Sequence, residues 1–226
     1  MTNASDLPGP WAKTYAANCK EDMLEAYADW SSSYDEDSID KFGYVAPRRA
    51  AEELSRHVQE QGFPTDIRIA DIGAGTGLVG QELLALGYSR ILALDYSAEM
   101  LAIAKTKGCY QELHCVDLLD SLDKLHENTN LEAGCFDAAV SVGTFTPNHV
   151  GIEVLDTVIA LVKAGGLLCL TLREDFVLDS TNGFLARLKA LGDCGTITLL
   201  DATKSELYTA KVSDTIYFRC WTYRVN

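Results

Sequence analysis

The sequence predicts a three-layer α/β fold, in which helices cover both faces of a mostly parallel sheet. Between residues 67 and 172, short apolar runs alternate with helical segments, and turn residues separate them. This alternation is typical of parallel strands joined by crossover helices. The C-terminal part breaks the alternation, because its last two strand-like runs have no helix between them. These two runs are therefore expected to be antiparallel neighbours.

Length and composition restrict the class of protein. The chain has 226 residues, of which 47% are hydrophobic, enough for one domain with a substantial core. Its formal net charge of −14 argues against nucleic acid as a partner, because an acidic surface repels phosphates. No run of the sequence is long and apolar enough for a membrane span, so no membrane partner is expected and the cytoplasm is the expected location.

The seven cysteines predict neither a disulfide framework nor a metal site. Their number is odd, and no C-x-x-C pair occurs. Several lie within apolar runs, as in LLCLTL. We therefore expect reduced thiols that pack in the core.

The predicted elements follow one another with short connections. Residues 1–62 are expected to form an N-terminal helical segment, whose last helix is ended by Gly62 and Pro64. Residues 63–226 are expected to form the binding domain. Its strands are predicted at 67–72, 91–94, 113–116, 136–142 and 167–172, followed by the strand-like tail. Its helices are predicted at 78–86, 98–107, 118–125, 152–162 and 184–191.

The segment DIGAGTG, residues 71–77, carries the strongest functional signal. Gly73 and Gly75 remove side chains, so the backbone can turn tightly and approach a ligand at the N-terminus of the following helix. Gly77 is expected to let that helix pack close to the strand. Two patterns fit the segment: G-x-G-x-x-G of dinucleotide-binding enzymes and D-x-G-x-G-x-G of S-adenosylmethionine enzymes.

Carboxylates at the ends of the predicted strands help to separate the two patterns. Asp95 could accept hydrogen bonds from both ribose hydroxyls in either kind of enzyme. Asp71 would repel a pyrophosphate but could hold an ammonium or sulfonium group, although it could also tie down loop amides. Asp117 could accept from an adenine amino group while the Leu118 N–H donates to a ring nitrogen. Capping of a helix is the alternative for Asp117.

Five motifs resemble those of the class I S-adenosylmethionine-dependent methyltransferases. In order they are IADIGAGTG, ILALDYSAEMLAIAK, LHCVDLLD, FDAAVSVGTF and LVKAGGLLCLTLRE, all within residues 63–174. The resemblance implies a Rossmann-like methyltransferase fold with a seven-stranded sheet, whose last strand is antiparallel. It also implies S-adenosyl-L-methionine as cofactor, S-adenosyl-L-homocysteine as product and no metal.

The same resemblance assigns residues to the cofactor site. It implies contacts from the loop 71–77, which includes Ala74, and from the region of Ser141. Tyr96 and Met100 would contact the ribose and adenine. Core packing is the alternative for Met100, because it lies on a predicted helix beside other apolar residues.

The N-terminal segment resembles a narrower group, the methyltransferase-like proteins of the Williams–Beuren syndrome region. That group places a Tyr-Asp pair, a further tyrosine and Ala-Pro-Arg before the first domain helix. Here these are Tyr34-Asp35, Tyr44 and residues 46–48. We expect the segment to fold over the cofactor as a lid, with Tyr34 and Tyr44 in contact with it. Static packing of the two tyrosines is the alternative.

Methyl transfer from a sulfonium is an SN2 displacement, which depends mainly on positioning and desolvation of the nucleophile. A general base is needed only if the acceptor starts protonated. His149 and Tyr44 are the candidates for catalytic residues, although a structural role fits His149 at least as well. Tyr34, Thr144 and Arg173 are further candidates, since they are expected above the ends of the strands.

The acceptor is expected to be a small molecule or a protein side chain. The segment after the fourth strand, SVGTFTPNH, lacks the Asn/Asp-Pro-Pro-aromatic motif of amino-directed nucleic-acid methylases. It also lacks the Pro-Cys nucleophile of cytosine C5 methylases. Two alternatives stay open: an NAD(P)-binding oxidoreductase, and a catalytically silent module that binds the cofactor and a partner protein.

Overall fold

The computed structural model describes residues 9–17, 19–146, 151–212 and 215–226. A mixed sheet lies between two layers of helices, as the alternation of strands and helices predicts. Its strands are β1 Ile69–Ile72, β2 Ile91–Asp95, β3 Glu112–Cys115, β4 Phe136–Ser141, β5 Val162–Arg173, β6 Ile197–Ala202, β7 Glu206–Leu207 and β8 Tyr217–Val225. Within the described ranges, no helix has both the length and the apolar character needed to cross a bilayer.

The strand order is β3-β2-β1-β4-β5-β8-β6. Strands β1 to β5 are parallel, and β8 is antiparallel to both β5 and β6. The two-residue strand β7 also pairs antiparallel with β8. The predicted mostly parallel sheet with an antiparallel last strand is therefore confirmed. Within the described residues, the sheet has eight strands where seven were predicted, because the short strand β7 adds to the seven in this order.

In the described part of the chain, three α-helices precede β1, and one α-helix follows each strand from β1 to β4. They are α1 Gly9–Ala16, α2 Lys20–Trp30, α3 Ala46–Glu60, α4 Leu78–Ala85, α5 Ala98–Thr106, α6 Leu122–Thr129, α7 Glu153–Leu161, α8 Glu174–Val177 and α9 Phe184–Asp193. The predicted helix at 118–125 is displaced, because the Ser121 side chain accepts from the Lys124 N–H and begins α6 at Leu122. Strand β5 begins at Val162, earlier than predicted, since it continues through the glycine pair that was expected to precede it.

The central strands are buried on both faces, which explains their nearly continuous apolar sequences. Ile69 and Ala70 of β1 point to opposite faces, and both are fully buried. Leu54 of α3 packs in the core on one face, and Leu155 of α7 packs in the core on the other. This packing fixes the carboxyl ends of β1 to β4 side by side at one edge of the sheet.

The N-terminal segment is built around a buried carboxylate. Asp37 lies in a π-helical turn, Glu36–Lys41, and accepts hydrogen bonds from Trp30 Nε1 at 2.8 Å, Ser33 Oγ at 2.9 Å and Lys41 Nζ at 2.7 Å. The hydrogen bond from Lys41 is the largest cause that lowers the pKa of Asp37. Three donors on one carboxylate hold the serine-rich turn after α2 in place.

We predict that Asp37→Asn lowers the free energy of unfolding by about 1.5–3 kcal/mol, the usual range for hydrogen bonds to a charged group. Because the pKa of Asp37 is below its ordinary value of 3.8, its contribution is present at neutral pH and is lost as the pH falls below that value. Urea denaturation at pH 7 and in acid measures both effects. Asp40→Asn, at an exposed neighbour, is the control, and equal stability of the two variants at pH 7 would contradict the prediction.

Candidate cofactor and acceptor site

A cavity of about 590 Å³ lies at the carboxyl ends of the parallel strands, beneath the N-terminal helices. Its volume is typical of sites for small organic ligands. Most of the predicted site residues line it: Tyr34, Tyr44, Gly73, Gly75, Asp95, Tyr96, Met100, Asp117 and Leu118. The fold therefore brings together residues that are far apart in the sequence, at the edge where doubly wound sheets bind ligands.

The glycine loop has the backbone conformation that its sequence predicts. Gly73, Gly75 and Gly77 have φ values of 69°, 54° and 89°, in the left-handed region that favours glycine. A Cβ on Gly73 would lie 2.2 Å from Thr144 Oγ1, so this position has no room for a side chain. Gly75 faces open space, since a Cβ there would have no atom within 4 Å.

Gly77 has a different role from the predicted one. A Cβ on Gly77 would lie 2.9 Å from the ring of Tyr110 and 3.2 Å from the Cβ of Ala104. The glycine therefore lets α4 approach Tyr110 and α5, and its contact partners are not in the preceding strand. It does not line the cavity.

Asp95 connects the end of β2 to the glycine loop. Its Oδ2 accepts from the Gly75 N–H at 2.7 Å, and its Oδ1 accepts from the Ser97 N–H at 2.8 Å. Burial raises the pKa of Asp95, although these amide hydrogen bonds act in the opposite direction. Each carboxylate oxygen keeps a further lone pair, so hydroxyl groups in the cavity could still bind to Asp95.

Asp117 receives a partner that the sequence did not predict. Lys20, the first residue of α2, donates a hydrogen bond to Asp117 Oδ2, and its Nζ lies 3.6 Å from the centre of the Tyr96 ring. The Leu119 N–H donates to Asp117 Oδ1 at 3.0 Å. Burial tends to raise the pKa of Asp117, but the bonds from Lys20 and Leu119 outweigh it and the pKa is lowered. The ammonium group of Lys20 thus covers the end of the cavity formed by β3.

Asp71 does not meet the cavity, although it was predicted to hold a positively charged group there. It is fully buried, and its Oδ2 accepts from the Tyr110 hydroxyl at 2.6 Å on the far side of the loop. Burial raises the pKa of Asp71 to about 7. This orientation agrees with the alternative interpretation, in which Asp71 supports the loop from behind.

Ser141 and Ala74 do not line the large cavity, although Ala74 lines a small neighbouring cavity of about 40 Å³ beside Gly73 and Gly75. Ser141 is fully buried and donates to the Ile72 carbonyl at 3.0 Å, so it ties the end of β4 to the end of β1. Ala74 is buried in a small cluster with Leu101. Both residues shape the loop, but the large cavity is lined by their neighbours Gly73 and Val142.

The structure makes Tyr44 unsuitable as a general base. Its hydroxyl lies 3.1 Å from that of Tyr208, and burial raises the pKa of Tyr44 well above its ordinary value. The phenol therefore stays protonated at neutral pH. Both hydroxyls lie above Gly143, where a Cβ would be 2.9 Å from one and 3.1 Å from the other. Tyr44 is placed to orient ligands by hydrogen bonding.

The remaining catalytic candidates give no base among the described residues. His149 lies outside the described residues. Thr144 lines the cavity but donates its hydroxyl to the Ile72 carbonyl at 3.0 Å. The Arg173 guanidinium is buried and bound to Asp175, and it does not line the cavity.

The N-terminal segment is attached to the glycine loop through Asp35. Its Oδ1 accepts from Thr76 Oγ1 at 2.5 Å, and its Oδ2 lies 2.6 Å from Lys107 Nζ. Next to Asp35, the ring of Tyr34 packs 4.6 Å from that of Trp30 and lines the cavity. The predicted tyrosine-aspartate pair thus has two roles, one side chain facing the cavity and the other anchoring the segment.

Several residues line the cavity although the sequence did not predict them as site residues: Trp11, Lys20, Met23, Tyr27, Trp30 and Tyr208. A signal was present for some of them, because Tyr27, Trp30 and Tyr34 are spaced as one face of a helix. No local pattern distinguishes Lys20 from an ordinary surface lysine. Only the packing of α2 near β3 brings it to Asp117.

Known proteins share this architecture. A family model described as a methyltransferase domain matches residues 69–166. Human methyltransferase-like protein 27 is 34% identical over 172 residues, which cover 75% of this chain and 66% of the human protein. The aligned part of this chain therefore covers a little under two thirds of the length of the human protein.

Two solved structures resemble the fold. One is an S-adenosylmethionine-dependent methyltransferase from Clostridium acetobutylicum, with a TM-score of 0.61, 15% identity and coverage of 86% of this chain and 98% of the other. Another is magnesium protoporphyrin IX methyltransferase from Synechocystis with bound S-adenosylhomocysteine, with a TM-score of 0.59, 14% identity and coverage of 90% and 99%. These two structures show the fold. The matched methyltransferase domain and the similarity to the human protein show that the chain belongs to the class I S-adenosylmethionine-dependent methyltransferases.

Proposed function

We propose that this protein transfers the methyl group of S-adenosylmethionine to a small molecule or a protein side chain. One observation carries the proposal. The open backbone at Gly75, the Asp95 carboxylate and the Asp117 carboxylate line the same cavity, at the ends of three adjacent parallel strands. A ligand with a ribose between an adenine and a positively charged tail fits that order of groups.

Each part of the cavity suits one part of the cofactor. Asp95 has lone pairs for the two ribose hydroxyls, and Gly75 leaves the space beside it empty. Asp117 and the Leu118 N–H would bind the adenine edge, and Met100 would pack against the ring. A dinucleotide fits less well, because its pyrophosphate would meet these carboxylates with Lys20 as the only cation among the described lining residues.

The chemistry needs little from the protein beyond positioning. The bound cofactor would supply an activated methyl group on a positively charged sulfur. Tyr34 and Tyr44 would exclude water from the reacting centre, and the Tyr44 hydroxyl would orient the acceptor. We propose that the acceptor displaces the methyl group directly, in line with the sulfur. The cover of α1 and α2 over the cavity favours a small acceptor.

The segment around Tyr34 is proposed to act as a lid. The contacts of Asp35 with Thr76 and Lys107 attach it to the loop that would hold the cofactor. A bound cofactor would add contacts to Tyr34 and Tyr44 and would thereby stabilise the closed position of the segment.

We predict that Asp95→Ala weakens S-adenosylhomocysteine binding by about 1.5–3 kcal/mol, because hydrogen bonds to a charged group are lost. Isothermal titration calorimetry of the wild-type protein and the variant measures the difference. Asp123→Ala, at an exposed position on α6, is the matched control and should bind like the wild type. Unchanged affinity in Asp95→Ala removes this residue from the site, and binding of NADH without S-adenosylhomocysteine contradicts the proposed function.

We also predict that S-adenosylhomocysteine slows amide hydrogen exchange across residues 30–45, because the ligand holds the lid in its closed position. Asp35→Asn should reduce this protection and weaken binding, since it removes the charge that pairs with Lys107. Asp40→Asn, in the same segment but exposed, should retain both. If exchange across the segment is already slow without ligand and does not change on binding, the segment is static packing and the lid proposal is wrong.

A further inference from the structure

We infer that the methyl acceptor is an amine, whose positive charge is held by a wall of aromatic rings on the lid side of the cavity. This inference rests on the proposed function, because it assigns the acceptor of the same site. We define the aromatic wall as the six cavity-lining side chains Trp11, Tyr27, Trp30, Tyr34, Tyr44 and Tyr208. All but Tyr208 belong to the N-terminal segment.

The rings of the wall are in mutual contact. Trp30 and Tyr34 have centroids 4.6 Å apart, and Tyr27 lies 6.4 Å from each of them. Tyr44 and Tyr208 have centroids 4.9 Å apart, and Trp11 lies 6.1 Å from Tyr208. Both groups of rings line the same cavity. Aromatic rings attract ammonium groups, because the face of an aromatic ring carries negative electrostatic potential.

The charged groups of the cavity also favour a positively charged occupant. The described lining contains three carboxylates, of Asp95, Asp117 and Glu153, and one ammonium group, of Lys20. Lys20 lies on Asp117 and the Tyr96 ring, at the end of the cavity assigned to the adenine. A carboxylate or phosphate acceptor at the aromatic wall would therefore lack a counter-ion among these residues, whereas the chain's net charge of −14 attracts cations.

One further cation lies near the wall. The Arg173 guanidinium is 5.9 Å from the centre of the Tyr208 ring, but it does not line the cavity. Both its Nε and a terminal nitrogen donate to Asp175. Its charge is thus compensated within the protein, and it does not provide a binding group for an anionic acceptor.

An amine also matches the protonated state of Tyr44, the described residue that the sequence offered as a base. The acceptor is recognised as an ammonium ion and loses one proton to solvent before it reacts. The nitrogen lone pair of the resulting neutral amine forms the new N–C bond while the S–C bond breaks and its electron pair remains on sulfur. The positive charge moves from sulfur to nitrogen, and a product that carries an N–H releases its proton to solvent. An alcohol or phenol would have to lose its proton for attack, and Tyr44, held as a phenol by burial, cannot accept it.

The test measures binding of a cation to the protein saturated with S-adenosylhomocysteine, which fills the cofactor site with an uncharged sulfur. Choline and its neutral isostere 3,3-dimethyl-1-butanol have the same shape and differ in charge. Titrations followed by tryptophan fluorescence, to which Trp11 and Trp30 contribute, should show roughly 2–30-fold tighter binding of choline. Benzylamine should bind more tightly than benzyl alcohol, and benzoate should bind most weakly.

Variants assign the preference to the wall. Tyr27→Leu and Trp11→Leu should reduce the ratio of choline to isostere affinity towards one. Tyr217→Leu, at an exposed tyrosine that does not line the cavity, should keep the wild-type ratio. A lysine-containing peptide in the same titration distinguishes a protein side chain from a free amine, because only an open site would bind it as tightly as benzylamine.

Three results would overturn the inference. Equal affinity for choline and its isostere means that the wall recognises apolar surface alone. Displacement of S-adenosylhomocysteine by choline means that the rings serve the sulfonium end of the cofactor. Tighter binding of benzoate than of benzylamine means that the acceptor is an anion. Failure to bind S-adenosylhomocysteine at all is a separate result, which contradicts the proposed function itself.

Discussion

The hydrogen bonds of Asp95 connect the sequence motif to the site. Parallel pairing places the end of β2 beside the end of β1, so that the Asp95 carboxylate reaches the Gly75 N–H at 2.7 Å. The left-handed glycines allow this approach, and the second oxygen binds the Ser97 N–H that precedes α5. One carboxylate thus joins two strand ends and a helix start in the wall of the cavity.

The N-terminal segment, which we propose to be a lid, is attached to the glycine loop of the same junction through Asp35. Asp35 binds Thr76 in the glycine loop, while Asp37 organises the turn that carries it. Asp35 and Asp37 are only two residues apart. Asp37 binds residues of its own segment, whereas Asp35 binds Thr76 and Lys107 of the binding domain. Asp37 lies within the π-helical turn Glu36–Lys41, whereas Asp35 precedes it, and aromatic rings of the same N-terminal segment line the cavity.

The sequence predicted those features that depend on local pattern. Apolar alternation indicated the sheet, and the glycine spacing indicated the loop, because both reflect short-range backbone geometry. The sequence did not predict the features that depend on packing between distant segments. The partner of Asp117 comes from Lys20, and the partner of Tyr44 from Tyr208, and neither pairing has a sequence signature. Asp71 was expected to hold a positively charged group in the cavity, but the sequence does not determine which way a residue at a strand end faces, and Asp71 binds Tyr110 instead.

The contact between Lys20 and Asp117 has a consequence for cofactor binding under the proposed function. An adenine amino group that donates to Asp117 would take the place of the Lys20 ammonium on the same carboxylate. The ammonium also lies on the Tyr96 ring, a face that an adenine would otherwise stack against. Breaking the ion pair between Lys20 and Asp117 costs free energy. Hydration of the released ammonium group would offset part of this cost, because the Lys20 side chain is already partly exposed. Because Lys20 begins α2, which carries part of the aromatic wall, occupation of the adenine end and arrangement of the acceptor end are linked through one helix.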